Sequence, residues 1–176
     1  MMKIQTLAAL CLLGAAQAAS PRAEVRHDDN LALSYEAVLE GDYLVVRAAI
    51  EPGWHTFAMD NEHRAKEKLA GMMSLGIDKQ TEITLSGGLV TTGPWYQTPP
   101  KDFSKPDLRW FSWGYEKEAV FAAKVRRTGP AAVKIQVKGQ ACTETTCKNI
   151  DVELAAPAGQ PRTAPAPPPG LIPVKN

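Results

Sequence analysis

The chain has 176 residues, of which 44% are hydrophobic and 22% are charged, with 20 basic and 19 acidic side chains. This length is enough for one domain with a hydrophobic core and leaves little room for a second domain. The nearly balanced charge argues against a nucleic-acid-binding surface and against a polybasic membrane patch. The apolar stretch at the N-terminus is too short to cross a bilayer, so we expect no membrane span.

Residues 1–19 have the pattern of a secretory signal peptide. Lys3 supplies the positive charge, residues 7–14 form the short apolar segment, and Ala16-Gln17-Ala18 is a small-x-small cleavage site. We expect cleavage after residue 18 or 19, which places the mature chain in the periplasm or outside the cell.

Export determines how the cysteines are interpreted. Cys11 is removed with the signal peptide, so Cys142 and Cys147 remain in an oxidising compartment. Two closely spaced cysteines in an exported domain indicate either a structural disulfide or a redox-active dithiol.

Short runs of strand-forming residues are the dominant pattern in the mature chain. Turn signals such as Gly41-Asp42 and Gly129-Pro130 separate them, and residues 133–138 alternate strictly between apolar and polar side chains. The predicted strands are residues 31–39, 43–50, 54–57, 81–85, 119–126, 132–138 and 151–154. Several short strands with turns between them predict an all-β protein with a β-sandwich architecture.

Residues 62–74 interrupt this pattern and predict one amphipathic helix lying on the sandwich. Asp60 or Asn61 can cap its start, and Gly76 follows its end. The apolar residues at helical spacing are Ala65, Leu69, Met72 and Met73.

Two further segments differ in composition. Residues 93–114 are loop-like and contain three of the four tryptophans, so they either close one end of the sandwich or cover a site. Residues 156–176 contain seven of the 14 prolines, which predicts a disordered, extended and solvated C-terminal tail. The folded domain is therefore expected at residues 20–155.

The segment Cys142-Thr-Glu-Thr-Thr-Cys147 contains the most reactive side chains of the mature chain, its two cysteines. Five steps of extended chain would separate the two Cα atoms by about 16 Å, whereas a disulfide requires about 7 Å or less. Bonding therefore requires the chain to reverse, as in a hairpin with residues 143–146 at its tip. So short a loop stabilises a fold by only about 2 kcal/mol, which favours a redox use modestly and leaves a structural disulfide open.

Two motifs resemble those of one family. The string Gly139-Gln-Ala-Cys-Thr-Glu-Thr-Thr-Cys147 is similar to the cysteine motif of the N-terminal periplasmic domain of the thiol:disulfide interchange protein DsbD. The segment Glu51-Pro-Gly-Trp-His-Thr-Phe57 is similar to the Pro-Gly-Trp-His segment that this family places upstream. The resemblance covers residues 31–154.

This resemblance implies an immunoglobulin-like β-sandwich with a redox-active cysteine pair on a hairpin. It implies that Cys147 forms mixed disulfides with partners and that Cys142 resolves them. It also implies a thioredoxin-like or membrane thiol carrier as electron donor, and periplasmic disulfide-bearing proteins, including those of cytochrome c biogenesis, as acceptors. No cofactor is required.

Family members also shield the cysteine pair with an aromatic cap loop. Residues 101–113 are similar in position, with Phe103, Trp110 or Phe111 as the shielding side chain. The chain differs in having Lys148-Asn149 where the family commonly has two prolines after the second cysteine. The membrane and thioredoxin-like domains of the family are not in this sequence, so we expect either that separate proteins supply them or that the chain has kept the fold and lost the electron relay.

Other functions remain as alternatives. The first is a non-enzymatic binding module in which the two cysteines form an inert structural disulfide. The second is a periplasmic copper-handling module, with the soft ligands His55, Met59, His63, Met72 and Met73. Zinc on the cysteine pair would need two more ligands, and we expect no metal site. No Gly-rich phosphate loop and no Gly-x-Ser-x-Gly motif occurs, which argues against nucleotide-binding and conventional hydrolase functions.

Overall fold

The structure, a computed structural model, describes residues 22–157, 159–163 and 166–175. The predicted signal peptide lies outside the described residues. The strands are β1 (Ala23–His27), β2 (Asn30–Glu40), β3 (Tyr43–Ile50), β4 (His55–Phe57), β5 (Glu82–Ser86), β6 (Leu89–Gln97), β7 (Lys101–Asp102), β8 (Trp113–Tyr115), β9 (Glu118–Arg127), β10 (Lys134–Cys142), β11 (Cys147–Leu154) and β12 (Ile172–Pro173). Helix α1 (Asn61–Leu69) follows β4, and a short 3-10 helix (Pro106–Leu108) lies between β7 and β8.

The strands form two antiparallel sheets. The first has the order β1-β2-β3-β9-β6-β12, and the second has the order β11-β10-β4-β8-β7. Strand β5 also pairs with β10, along Lys134 to Lys138, so the part of β10 beyond Gly139 is free to pair with β4. The expected all-β, immunoglobulin-like sandwich with one short helix is confirmed.

The main hydrophobic core lies between the two sheets. Leu44 and Val46 of β3 are fully buried from one side, and Ile135 and Val137 of β10 from the other. Each such side chain stabilises the fold by about 1.5–3 kcal/mol through burial. The predicted alternation in β10 is confirmed, and this core fixes the strand that delivers Cys142 to the end of the second sheet.

The first sheet is also covered on its outer face. Tyr43, Val45 and Ala122 form a second buried cluster there, and Leu171 of the Pro-rich tail packs against it. The first half of β3 is therefore apolar on both faces, which explains why residues 43–46 form a continuous apolar run rather than an alternating one.

The end of the tail differs from the expected disordered segment. Ile172 pairs with Gln97 of β6, and the amide of Val174 donates a hydrogen bond of 2.9 Å to the carbonyl of Trp95. The tail is ordered here because it covers apolar side chains and provides partners for backbone groups of an outer strand.

Helix α1 ends earlier than predicted. Ala70 has a φ of 47° and Gly71 a φ of 85°, so the chain leaves the helix in the left-handed conformation. The predicted extension to residue 74 is wrong, and Met72 and Met73 are exposed rather than packed on the sandwich. In the described part of the chain, no helix is both long and apolar enough to cross a membrane.

A buried polar network joins α1 to the first sheet. Asp60 Oδ1 accepts hydrogen bonds of 2.8 Å from Arg64 Nε and from Gln97 Nε2, and Oδ2 accepts one of 3.1 Å from the amide of Lys175. Burial alone would raise the pKa of the Asp60 carboxyl, but these donors outweigh it and lower the pKa. Asp60 thus connects the helix, β6 and the tail instead of capping the helix with its side chain.

Candidate redox site at the β10–β11 hairpin

Cys142 and Cys147 lie at the closed end of one hairpin. Cys142 is the last residue of β10 and Cys147 the first of β11, and they face each other as the final pair of the antiparallel ladder. Their Cα atoms are 4.1 Å apart and their sulfur atoms are bonded. The expected chain reversal between the two cysteines is present.

Residues 143–146 form the turn that brings the cysteines together. The amide of Thr143 donates a hydrogen bond of 2.8 Å to the carbonyl of Thr146. The Thr143 hydroxyl oxygen accepts hydrogen bonds from the amides of Thr145 (3.2 Å) and Thr146 (3.1 Å). A threonine side chain that satisfies two turn amides stabilises the turn locally, so the reversal does not depend on the disulfide alone.

The two cysteines differ in exposure. Cys142 is 3% exposed and belongs to the buried residues of the domain, whereas Cys147 is an exposed residue. An external thiol or disulfide therefore reaches Cys147 first, because exchange requires direct contact between sulfur atoms.

Strand β4 places His55 beside the pair. His55 faces Cys142 across the β4–β10 ladder, and the Thr56 hydroxyl fixes this register by donating a hydrogen bond of 2.9 Å to the carbonyl of Gln140. Side chains of directly facing residues project to the same side of a sheet, with Cβ atoms about 5 Å apart. His55, Cys142 and Cys147 therefore form one row across three strands.

This row opens into a surface cavity of about 610 Å³. The hairpin provides one wall, and the segment between β7 and β8 provides the opposite wall. Its lining residues are His55, Phe57, Asp78, Phe103, Lys105, Leu108, Trp110, Ser112, Glu116, Cys142, Thr143, Glu144, Thr145, Thr146 and Cys147.

The three aromatic residues named as candidates for a cap differ in position. Phe103 and Trp110 line the cavity that contains both cysteines. The Phe103 ring lies 5.3 Å from the His55 ring, and Trp110 Nε1 donates a hydrogen bond of 2.8 Å to Asp78 Oδ2. Phe111 instead packs against the main hydrophobic core. The structure thus brings Phe103 and Trp110 to the cysteine pair and leaves Phe111 away from it.

Gly114 of β8 allows the Phe103 ring to lie close to the sheet. A Cβ atom at this position would be 2.1 Å from the carbonyl oxygen of Thr56 and 3.2 Å from Cε2 of Phe103. Any larger residue would push β8 away from β4 and the ring away from the cavity. Glycine is therefore required here by close approach rather than by its backbone angle.

Burial and the charged groups around the cavity shift the pKa of His55. Burial lowers the pKa of its imidazole, Asp78 and Glu116 raise it, and Lys105 lowers it, with a net decrease. Because the ordinary pKa of histidine is about 6.5, the ring is uncharged at neutral pH. Hydrogen bonding to Lys101 lowers the pKa of Glu116 and keeps it ionised.

Several cavity residues were not identified from the sequence. Asp78 precedes β5, Glu116 follows β8, and Leu108 is in the 3-10 helix, so only tertiary pairing brings them to the hairpin. No local pattern marks them. Leu108 is 52% exposed, which could be found only once the fold was known.

The residues considered for copper do not form one site. Met59 and His63 line a different cavity together with Asp60 and Lys175, whereas His55 lines the cavity of the cysteine pair. Within residues 22–157, 159–163 and 166–175, no group of three or more His, Cys, Asp or Glu side chains is arranged to hold a metal ion.

Comparisons with known proteins give three findings. A solved structure, the N-terminal periplasmic domain of ScsB from Proteus mirabilis, matches 74% of this chain and 48% of its own length, with 16% sequence identity and a TM-score of 0.46. The chain thus spans about half the length of that structure. A comparison with curated proteins finds no match. The family described as thiol:disulfide interchange protein DsbD, N-terminal, matches residues 23–158, so the chain belongs to the DsbD N-terminal domain family.

Proposed function

We propose that this domain exchanges disulfides with protein partners in the periplasm through Cys142 and Cys147. The observation that carries the proposal is the asymmetry of the bonded pair, in which Cys147 is exposed at the mouth of a cavity while Cys142 is buried behind it. A purely structural disulfide has no need of an accessible cysteine or of a cavity around it.

In this proposal, the reduced domain gives two electrons to a partner disulfide. The Cys147 thiolate attacks one partner sulfur, so a mixed disulfide forms and one partner thiolate leaves. Cys142 then attacks the Cys147 sulfur, the internal disulfide forms, and the second partner thiolate leaves. The domain loses two electrons and its two thiol protons, and the partner gains two thiols.

Re-reduction requires a donor protein. A thioredoxin-like or membrane thiol carrier would attack the exposed Cys147, and Cys142 would leave as the thiolate. The family resemblance supports this partner class and the direction of flow, with clients that include proteins of cytochrome c biogenesis. The signal-peptide pattern of residues 1–19 supports a periplasmic location.

An exposed apolar surface beside the cavity supports a protein partner. The large hydrophobic residues that are exposed in the described ranges are Met72, Met73, Leu75 and Leu108. The Ser74 hydroxyl joins their two segments by donating to the carbonyl of Arg109 (2.9 Å), and Leu108 itself lines the cavity. We call this set the apolar rim. Exposed apolar patches mark interaction sites, and the continuity of the apolar rim with the disulfide cavity supports a protein partner that docks beside Cys147.

The reduction potential of the pair tests the proposal. The mature domain is equilibrated in graded glutathione buffers, and free thiols are counted, with the double variant Cys142→Ser, Cys147→Ser as blank. We expect a potential above about −300 mV that is reached without unfolding. A potential below that value, reached only when the domain is unfolded, would identify a structural disulfide and overturn the proposal.

A further inference from the structure

We propose that His55 is the proton acceptor for Cys142 when Cys142 resolves the mixed disulfide held on Cys147. This inference rests on the proposed function and adds a residue to its second step. It depends on the row of facing residues on β4, β10 and β11, in which Cys142 stands between its two neighbours.

The resolving step requires a proton acceptor close to Cys142, and the row of facing residues provides one. Cys142 is 3% exposed, so water has poor access to its thiol. A buried thiolate is costly, and the attacking form of cysteine is the thiolate. His55 faces Cys142 directly across the ladder and lines the same cavity, so its imidazole is in position to accept the thiol proton.

The surroundings of His55 keep it ready to accept a proton. Its ring contacts Phe57 and Phe103, each with a centroid distance of 5.3 Å, and these contacts orient the imidazole. The net decrease in its pKa keeps the ring uncharged at neutral pH. Once the proton has arrived, the charges of Asp78 and Glu116 stabilise the imidazolium.

Protons and electron pairs are conserved in this step. The Cys142 thiol transfers its proton to the unprotonated ring nitrogen of His55, and its sulfur attacks Cys147. The Cys142–Cys147 bond forms while the bond from Cys147 to the partner sulfur breaks. The partner thiolate leaves with the electron pair and takes the proton from the imidazolium, so His55 returns to its starting state.

The other charged groups facing the cavity are less suited to accept the proton of Cys142. Asp78 Oδ2 already accepts a hydrogen bond from the Trp110 indole N–H, and Glu116 is paired with Lys101 at 2.8 Å. Lys105 is a cation and cannot accept a proton while charged. Glu144 lies in the hairpin turn and is exposed, whereas His55 faces Cys142 directly across the ladder.

Reaction with 5,5′-dithiobis(2-nitrobenzoate) separates the two steps. Attack by Cys147 releases the first thionitrobenzoate, and resolution by Cys142 releases the second, so stopped-flow absorbance gives both rates. We expect the wild-type resolution rate to be nearly constant between about pH 6.5 and 8, because a neutral imidazole is already available. His55→Phe keeps an aromatic ring but accepts no proton, so its resolution rate should rise about tenfold per pH unit and fall at least tenfold below wild type at pH 6.5.

Controls distinguish proton transfer from packing. His63→Gln removes an imidazole on α1 outside this cavity and should leave both phases unchanged. His55→Ala should slow the second phase, and added free imidazole should restore part of it. If His55→Phe resolves at the wild-type rate with the wild-type pH profile, the role of His55 is packing and the inference is overturned. If the wild type releases no thionitrobenzoate in the folded state, the proposed function itself fails.

Discussion

Cys142 and Cys147 face each other as the last pair of one ladder, with Cα atoms 4.1 Å apart, yet only Cys147 is exposed. This difference predicts opposite outcomes for the two serine variants. With glutathione disulfide, reduced Cys142→Ser should accumulate a stable glutathione adduct, because the attacking cysteine remains and the resolving one is absent. Cys147→Ser should form the adduct at least 100-fold more slowly in its folded state, as measured by intact mass.

Both variants lose the same disulfide bond, so a difference in glutathione trapping between them cannot come from the loss of that bond. Each should lower the free energy of unfolding by about 2 kcal/mol relative to the oxidised wild type, the value for so short a loop. Equal trapping by both variants would contradict the assignment of Cys147 as the attacked sulfur.

The cap loop predicts a second contrast, between Phe103 and Phe111. Phe103→Ala should raise the rate constant for disulfide reduction by dithiothreitol about fivefold, equivalent to about 1 kcal/mol, because it opens the cavity that contains Cys147. Phe111→Ala should leave this rate unchanged but cost about 2–4 kcal/mol of unfolding free energy, because Phe111 packs against the core. The reverse pattern would assign the cap to Phe111.

The apolar rim predicts a difference between large and small reductants. The double variant Leu75→Ser, Leu108→Ser should reduce the rate constant with reduced thioredoxin about tenfold, because a protein partner loses apolar contact area beside the cavity. The rate with dithiothreitol should stay within about twofold of wild type, since a small thiol needs no such surface. Equal changes with both reductants would mean that the substitutions disturb the cavity rather than a docking surface.

Gly114 gives a prediction about packing. Gly114→Ala should destabilise the domain by about 1–3 kcal/mol, because the new Cβ would lie 2.1 Å from the Thr56 carbonyl oxygen. Gly129→Ala is the matched control, since a Cβ there meets nothing within 4 Å, and it should be neutral or slightly stabilising. Urea unfolding of both variants measures the difference, and a neutral Gly114→Ala would show that β8 is free to shift.

Asp60 gives a prediction about pH. Because its pKa is lower in the folded state, its contribution to stability is present above about pH 4 and is lost as the pH falls through the folded pKa. Asp60→Asn should cost about 2–4 kcal/mol at pH 7, since it leaves Arg64 without its buried partner. This difference from wild type should shrink in acid. Asp29→Asn, at an exposed position, should change stability by less than about 0.5 kcal/mol at pH 7.

The strands with a clear local pattern were predictable. β3 was predicted with its observed bounds, and β10 was identified by its strict alternation, because each has a face fixed by the core. β6 was missed because Gly93-Pro94 interrupts its sequence, and the structure shows a register shift against β9 at this point. Local sequence patterns predict regular strands. They do not predict a strand such as β6, whose irregular sequence becomes extended only through pairing with a distant strand.

The hairpin of the candidate site was predictable from the sequence, but most of the cavity around it was not. The cysteine spacing required a hairpin, and the hairpin is present. The importance of Asp78 and Leu108 could not be derived, because each reaches the cavity through contacts between distant segments. The ordered end of the tail was also missed, although the apolar run of β3 implied that something covers its outer face.

Strand β12 limits edge-to-edge association between molecules of this domain. Without it, β6 would present a row of unpaired amides and carbonyls at the border of the first sheet, a template for strand addition by a neighbouring molecule. β12 covers part of this border with only two residues, and Pro173 has no amide hydrogen to donate. The end of the Pro-rich tail therefore covers part of the open edge of the first sheet, and a two-residue strand that ends in proline opposes strand addition by a neighbouring molecule.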